Sequence, residues 1–173
     1  MKRRLIALML AALLALGLAT LAEEETLLIL KGDDVPDIVN VTLNIDFLDY
    51  SPGSADLDDT GACLPYDYVE DEAQRMDFHR RLAETATIPS VKKLRDELAD
   101  RYGKLPKAAN RLVKLAEFRV LCAQAGISRL DVHNGRALFY RAGSNEVAFV
   151  SRVEGRTPER MLASLAKAVA IST

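Results

Sequence analysis

The sequence predicts one α+β domain of order β-ααα-βββ-α, preceded by a signal-like N-terminal helix, and three observations predict it. Residues 38–47 alternate apolar and polar side chains, residues 71–126 hold three apolar stripes at helical spacing, and residues 127–170 hold three short strand-like runs and a last helical stripe. A chain of 173 residues is long enough for one proper core and too short for two of ordinary size.

In residues 38–47, Val39, Val41, Leu43, Ile45 and Phe47 fall on one face and Asn40, Thr42, Asn44 and Asp46 on the other, which is the pattern of a half-buried strand. Residues 49–72 then hold eight acidic side chains and no basic one, with Pro52, Gly53 and Gly61 breaking regular structure. A solvated loop whose charges repel is the reading there. Asp71 stands where a helix cap belongs, and the helix that follows is expected to run to about Ala86 with Met76, Leu82 and Ala83 inward. Pro89 suits the first turn of a second helix, with Val91, Leu94, Leu98 and Tyr102 on its stripe and Gly103 in a left-handed cap. Pro106 opens a third, whose stripe is Ala109, Leu112, Val113, Ala116 and Val120 and whose stop is Gly126. Strands follow at 127–132, 137–141 and 147–151, separated by Asn134-Gly135 and Gly143-Ser144-Asn145. Thr157-Pro158-Glu159 starts the last helix, which ends near Ala170 with Met161, Leu162, Leu165 and Val169 inward.

Residues 1–22 have the three parts of a secretory signal. Lys2-Arg3-Arg4 is the positive start, an uncharged apolar stretch follows, and Thr20-Leu21-Ala22 is a small-residue cleavage site, with the cut expected between Ala22 and Glu23. The segment reads as a signal peptide or an uncleaved anchor, residues 23–37 as a linker and residues 38–171 as the domain. Export to the periplasm follows if the leader works, and a cytoplasmic protein if it does not. Any membrane contact would be through the leader alone.

The formal charge is −2, and removal of Lys2, Arg3 and Arg4 would leave 20 basic residues against 25 acidic ones, a charge of −5. That balance argues against a protein held on nucleic acid by charge. Two cysteines make no disulfide framework. Cys122, among Leu121, Ala123 and Ala125, reads as a buried thiol, and Cys63, in the acidic loop, as an exposed one.

Chemistry-bearing motifs are few. Asp71-Glu72-Ala73-Gln74 has the letters of a helicase metal-binding box, but no apolar strand precedes it and no G-x-x-x-x-G-K-[ST] occurs in the chain. His79 and His133 form no metal spacing, and His79, between Met76 and Leu82, reads as structural. No catalytic residue, metal site or cofactor is expected, so the chain reads as a non-enzyme. Charge placement carries more: residues 75–119 hold 12 Lys and Arg against six acids. Arg75, Arg80, Arg81, Lys92 and Lys93 form a candidate basic face, against which stands a solvated surface with pairs such as Asp77–Arg81 and Lys93–Glu97.

One resemblance ties these segments together. Over roughly residues 30–150 the chain resembles the C-terminal domain of the bacterial transcription-repair coupling factor. The matching positions are Leu30-Lys31-Gly32 and the strand at 39–47; Pro65, Tyr68, Val69, Asp71 and Arg75; His79-Arg80-Arg81-Leu82; the run Leu94-Arg95-Asp96-Glu97-Leu98-Ala99-Asp100-Arg101-Tyr102-Gly103-Lys104-Leu105-Pro106; and Gln124-Ala125-Gly126-Ile127. His79 departs from the family's usual Tyr. In that family the domain is regulatory: it packs on a UvrB-like module and masks the surface that recruits UvrA. The resemblance implies a protein-binding domain associated with DNA repair, without the motor, whose partner is a UvrB-like module or a component of the UvrA pathway. Arg75, Arg80, Arg81, Asp100 and Arg101 are its candidate residues for contact or for structural ion pairs. The other readings are an exported binding or structural protein that re-uses the domain, with the acidic loop as its surface, and a truncated gene fragment.

Overall fold

The computed structural model describes residues 40–51 and 60–172. The leader, the cleavage site at Ala22 and Glu23, the linker, Leu30-Lys31-Gly32, the first residues of the predicted strand and the middle of the acidic loop lie outside the described residues. The chain runs β1 (Thr42–Ile45), α1 (Glu72–Glu84), α2 (Ile88–Tyr102), α3 (Lys107–Gln124), β2 (Ile127–His133), β3 (Arg136–Arg141), β4 (Val147–Arg152) and α4 (Pro158–Ser172). This is the predicted α+β order.

The four strands form one sheet in sequence order. β1 lies parallel to β2, with Thr42 opposite Arg129 and Ile45 opposite Val132, and the three helices make the crossover such a pairing requires. β2–β3 and β3–β4 are antiparallel. The β2–β3 turn is closed by Asn134 (φ 51°) and Gly135 (φ 71°), the left-handed pair that lets a two-residue hairpin follow the twist of its strands. β1 is shorter than the alternation predicts. Asp46 and Phe47 leave it as a turn, and an Asp46 carboxylate oxygen accepts from the Asn134 amide at 2.8 Å, so the strand ends where it ties to the hairpin.

Two cores share α3. Leu115, Phe118 and Cys122 pack with Ile45, Leu130, Val132, Ala137 and Phe139 of the sheet and with Leu162, Leu165 and Val169 of α4. Ala109, Val113, Ala116 and Val120 face the other way, toward Phe78 and Leu82 of α1 and Val91, Leu94 and Leu98 of α2. The predicted stripe of α3 is therefore one of two, as expected of a helix that is apolar nearly all round. On α1 the inward residues are Phe78 and Leu82; Met76 is 63% exposed and Ala83 is exposed, against the predicted stripe. The i, i+4 pair Phe78–Leu82 fixes the inward face and turns Met76 outward.

Asp71 caps α1 as expected, its Oδ1 accepting from the Gln74 amide at 2.8 Å. Gly103 ends α2 with a positive φ, but its ψ of −161° is extended rather than left-handed helical. Gly155, before α4, has φ 127° and sits so close that a Cβ there would meet Arg160 Cβ at 2.8 Å.

The acidic loop is not solvated throughout. Gly61, Ala62, Cys63, Leu64 and Pro65 are all buried, and the Asp49 amide donates to the Thr60 carbonyl and the Ala62 amide to the Asp49 carbonyl. Cys63 is thus buried, not exposed; like Cys122 it is a thiol outside any disulfide. Burial pushes the Cys122 thiol up to about 12.

Arg111 fastens this loop. Its side chain is 2% exposed, its Nη1 donates to the Gly61 carbonyl at 2.9 Å, and its Nε donates to Glu159 Oε1 at 2.5 Å. One guanidinium therefore joins the loop, α3 and the first turn of α4. Arg111→Met should lower the unfolding free energy by about 3 kcal/mol, because it strands a buried carbonyl and a carboxylate together. Urea denaturation at neutral pH measures this, and a loss below about 1 kcal/mol would mean that the clamp is dispensable.

Candidate functional site

The candidate residues gather on the face where α1 crosses α2. Glu97, near the middle of α2, is the centre of the charge there. Arg81 grips its two carboxylate oxygens at 2.5 and 3.1 Å, a fork on a fork, and Arg101 reaches Oε1 at 2.8 Å. Asp77 stands 3.6 Å from Arg81, the i, i+4 pair expected from sequence. Glu97 engages Arg81 and Arg101 rather than Lys93. Beneath the charges lies the Phe78 ring, with the guanidinium carbons of Arg81 and Arg101 at 5.1 and 5.8 Å from its centre.

The aromatic floor extends through Tyr102 to Tyr68, edge to face at 6.1 and 5.8 Å. The Tyr68 hydroxyl donates toward the Leu98 and Gly103 carbonyls, at 3.1 and 2.9 Å, and so binds the end of α2 to the loop before α1. Burial, and then the neighbouring Tyr102, raises the Tyr68 phenol. The Tyr102 hydroxyl donates to Gln74 Oε1.

The other candidates are used differently. Arg75 is turned back, donating to the Val69 carbonyl at 2.6 Å and the Glu70 carbonyl at 3.2 Å. Arg80 is outward, 2.5 Å from Asp77 and 3.7 Å from Glu84. Asp100, Lys92 and Lys93 are exposed. Arg75 and Arg81 are thus committed to the fold, while Arg80, Asp100 and Arg101 offer charge to solvent.

His79 is half-buried, in a cavity of about 220 Å³ with Val41, Leu43, Leu112, Leu115 and Arg119. Burial, and then Arg75, lowers its pKa, which favours the neutral ring. Arg119 was not singled out by the sequence, and it has a defined task. Its Nη2 donates to the Thr85 carbonyl at 2.5 Å and the Leu82 carbonyl at 3.1 Å, satisfying carbonyls that the end of α1 leaves open. The Asp71-Glu72-Ala73-Gln74 box is the cap and first turn of α1. Among the described residues no group of three His, Cys, Asp or Glu side chains is placed to hold a metal ion.

Residues 59–150, more than half of the chain, match the model of the TRCF domain family. The chain belongs to the TRCF domain family. Among similar proteins, the transcription-repair-coupling factor of Mycobacterium bovis is 43% identical over 67 residues, 39% of this chain and 5% of that protein. The factor of Escherichia coli is 31% identical over 84 residues, 49% of this chain and 7% of that protein. This TRCF chain therefore spans less than a tenth of the length of these relatives. The fold is also that of a solved structure, the C-terminal domain of transcription-repair coupling factor, with a TM-score of 0.60 and 12% identity over 77% of this chain and 93% of that one.

The Arg81–Glu97–Arg101 cluster of this TRCF domain gives a pH test. The Arg81 hydrogen bond, which outweighs the opposing effect of burial, holds the Glu97 carboxyl below its usual range. A pKa lower in the folded than in the unfolded chain stabilises the fold above the unfolded value of about 4.3, and that contribution is lost as pH falls through the lower folded value. Glu97→Gln should cost about 1 kcal/mol or less at pH 7, since the pair is partly exposed, and should flatten the acid side of the stability curve. Denaturant midpoints of both proteins from pH 7 down to about 3 measure it; parallel curves would rule out this role for Glu97.

Proposed function

We propose that this chain is a non-catalytic protein-binding domain associated with DNA repair, and that it docks on a UvrB-like module or another component of the UvrA pathway. The observation that carries this reading is the TRCF domain match over residues 59–150, together with a likeness of fold that takes in nearly the whole of a solved C-terminal domain. The docking face is the α1–α2 surface. Arg81 and Glu97 hold the two helices in register there, and Arg80, Asp100 and Arg101 present charges of both signs, which suits selection of a partner by complementary charge. The two helices reach solvent as a rigid pair, so little ordering is needed on binding.

Calorimetry with a UvrB-like module and with UvrA tests the reading. Binding by one of them is expected, with Asp100→Lys weakening it about tenfold or more while moving stability by less than about 0.5 kcal/mol. Lack of binding by either up to high micromolar concentration would overturn it.

The sequence of residues 1–22 favours a second reading, an exported domain re-used as a periplasmic binding protein. Intact mass from fractionated cells separates the two. A periplasmic species beginning at Glu23 supports export and removes direct work on cytoplasmic repair complexes. A cytoplasmic species retaining residues 1–22 supports the repair reading.

A further inference from the structure

β4 ends the sheet on one side, and among the described residues no strand pairs with its outer edge. Its residues are other than those of the α1–α2 face. The backbone of this edge is set to receive another strand. The Val153 amide donates to the Gly135 carbonyl at 2.9 Å, and the register runs on as Arg152 opposite Arg136, Ser151 opposite Ala137, Val150 opposite Leu138 and Phe149 opposite Phe139. In an antiparallel ladder, pairs that exchange hydrogen bonds alternate with pairs that do not. Ser151 and Phe149 therefore bond to β3, and Val150 and Arg152 turn their amides and carbonyls to the open edge.

Soluble sheets ordinarily blunt such an edge with a lysine, a proline or an inward charge, and residues 147–151 contain none of these. The bulge at Ala148, between the Phe139–Phe149 and Tyr140–Val147 pairs, lies near the start of the strand and leaves 149–152 in regular register. Val147 and Val150 are 43% and 49% exposed, beside half-buried Tyr140 and Leu138 of β3. The segment from Glu146 to Arg152 also complements itself in charge when reversed. A second copy run antiparallel about Phe149 sets Glu146 opposite Arg152 of the partner subunit, and does so at both ends. Glu154, the next charge along, falls opposite Ser144 of the partner subunit. The two Phe149 rings meet at the centre, extending a stack in which Phe139 and Phe149 already lie 4.2 Å apart.

We propose that two copies of this chain pair antiparallel through β4, joining their four-stranded sheets edge to edge. A strand of any sequence would satisfy the open backbone groups. Opposite charge at both ends and the aromatic pair at the axis select a second copy, because a twofold contact brings the same segment to itself. One strand pair buries little surface, so the dimer is reversible, with a Kd of about 10–100 µM.

The test is sedimentation velocity of the full chain from about 5 µM to about 1 mM, with hydrogen exchange at the Val150 amide followed over the same range. A monomer–dimer equilibrium is expected, and the Val150 amide should exchange more slowly as concentration rises. Val150→Lys, at an exposed position, should weaken the dimer about tenfold or more. Glu146→Arg and Arg152→Glu, both at exposed positions, each set like charges against one another and should weaken it about fivefold. Combined, they place opposite charges together again and should return the Kd to within about twofold of the parent. A monomer throughout the range, association that leaves Val150 exchange unchanged or survives Val150→Lys, or a double charge reversal as weak as either single one would overturn the proposal.

Discussion

The buried guanidinium of Arg111 is the interaction on which the rest of this domain depends. α3 is a helix with two apolar faces, and a helix of that kind is indifferent to rotation about its own axis so long as both faces remain covered. A charge that must be satisfied in one direction removes the indifference. Arg111 points at the Gly61 carbonyl and at Glu159, and this sets which residues of α3 meet the sheet and which meet the helices. Leu115, Phe118 and Cys122 go to one core; Ala109, Val113, Ala116 and Val120 go to the other. Removing such a charge from water is costly, and the use it serves here is specificity of register rather than raw stability.

The α1–α2 surface follows from that placement. With α3 fixed, the pair of helices over it is aligned by aromatic packing below and by the Arg81–Glu97–Arg101 cluster above. Both ends of α1 are closed by side chains, Asp71 at the start and Arg119 at the finish. What remains outward is a mixed set of charges whose spacing is set by backbone geometry rather than by side-chain flexibility.

The helices, the hairpin and their order were legible in the sequence because proline, glycine and Asn-Gly punctuate it at positions where backbone geometry leaves little choice. The family was legible for a related reason: the run from Leu94 to Pro106 combines a helix stripe, the charges above it and the turn that ends it. Tertiary uses of single residues were not legible. Arg111 and Arg119 did not stand out among the 12 Lys and Arg of residues 75–119, because nothing local reveals a carbonyl brought in from tens of residues away. The density of acids around residues 61–65 hid a short apolar run, Ala62-Cys63-Leu64-Pro65, that is part of the interior. On α1, Met76 and Ala83 were drawn into the stripe because their hydrophobicity counts equally at any angle, whereas Phe78 and Leu82 occupy the face that α3 covers.

The parallel pairing of β1 with β2 has a consequence for how the chain is made. Asn44 and Asp131, bonded at 2.7 Å across that pair, are 87 residues apart in sequence. A ribosome delivers β1 first and its neighbour only after all three helices have emerged. Through that interval Val41, Leu43, Ile45 and Phe47 have no sheet to join, and the domain stays without its first strand until most of its length is synthesised. The helices, whose partners lie close in sequence, are free to form in the meantime. Assembly would then run from the helices outward, with β1 among the last elements to settle. A holdase that recognises short apolar segments would find its site at the very start of the domain, and would have to release it for the sheet to close.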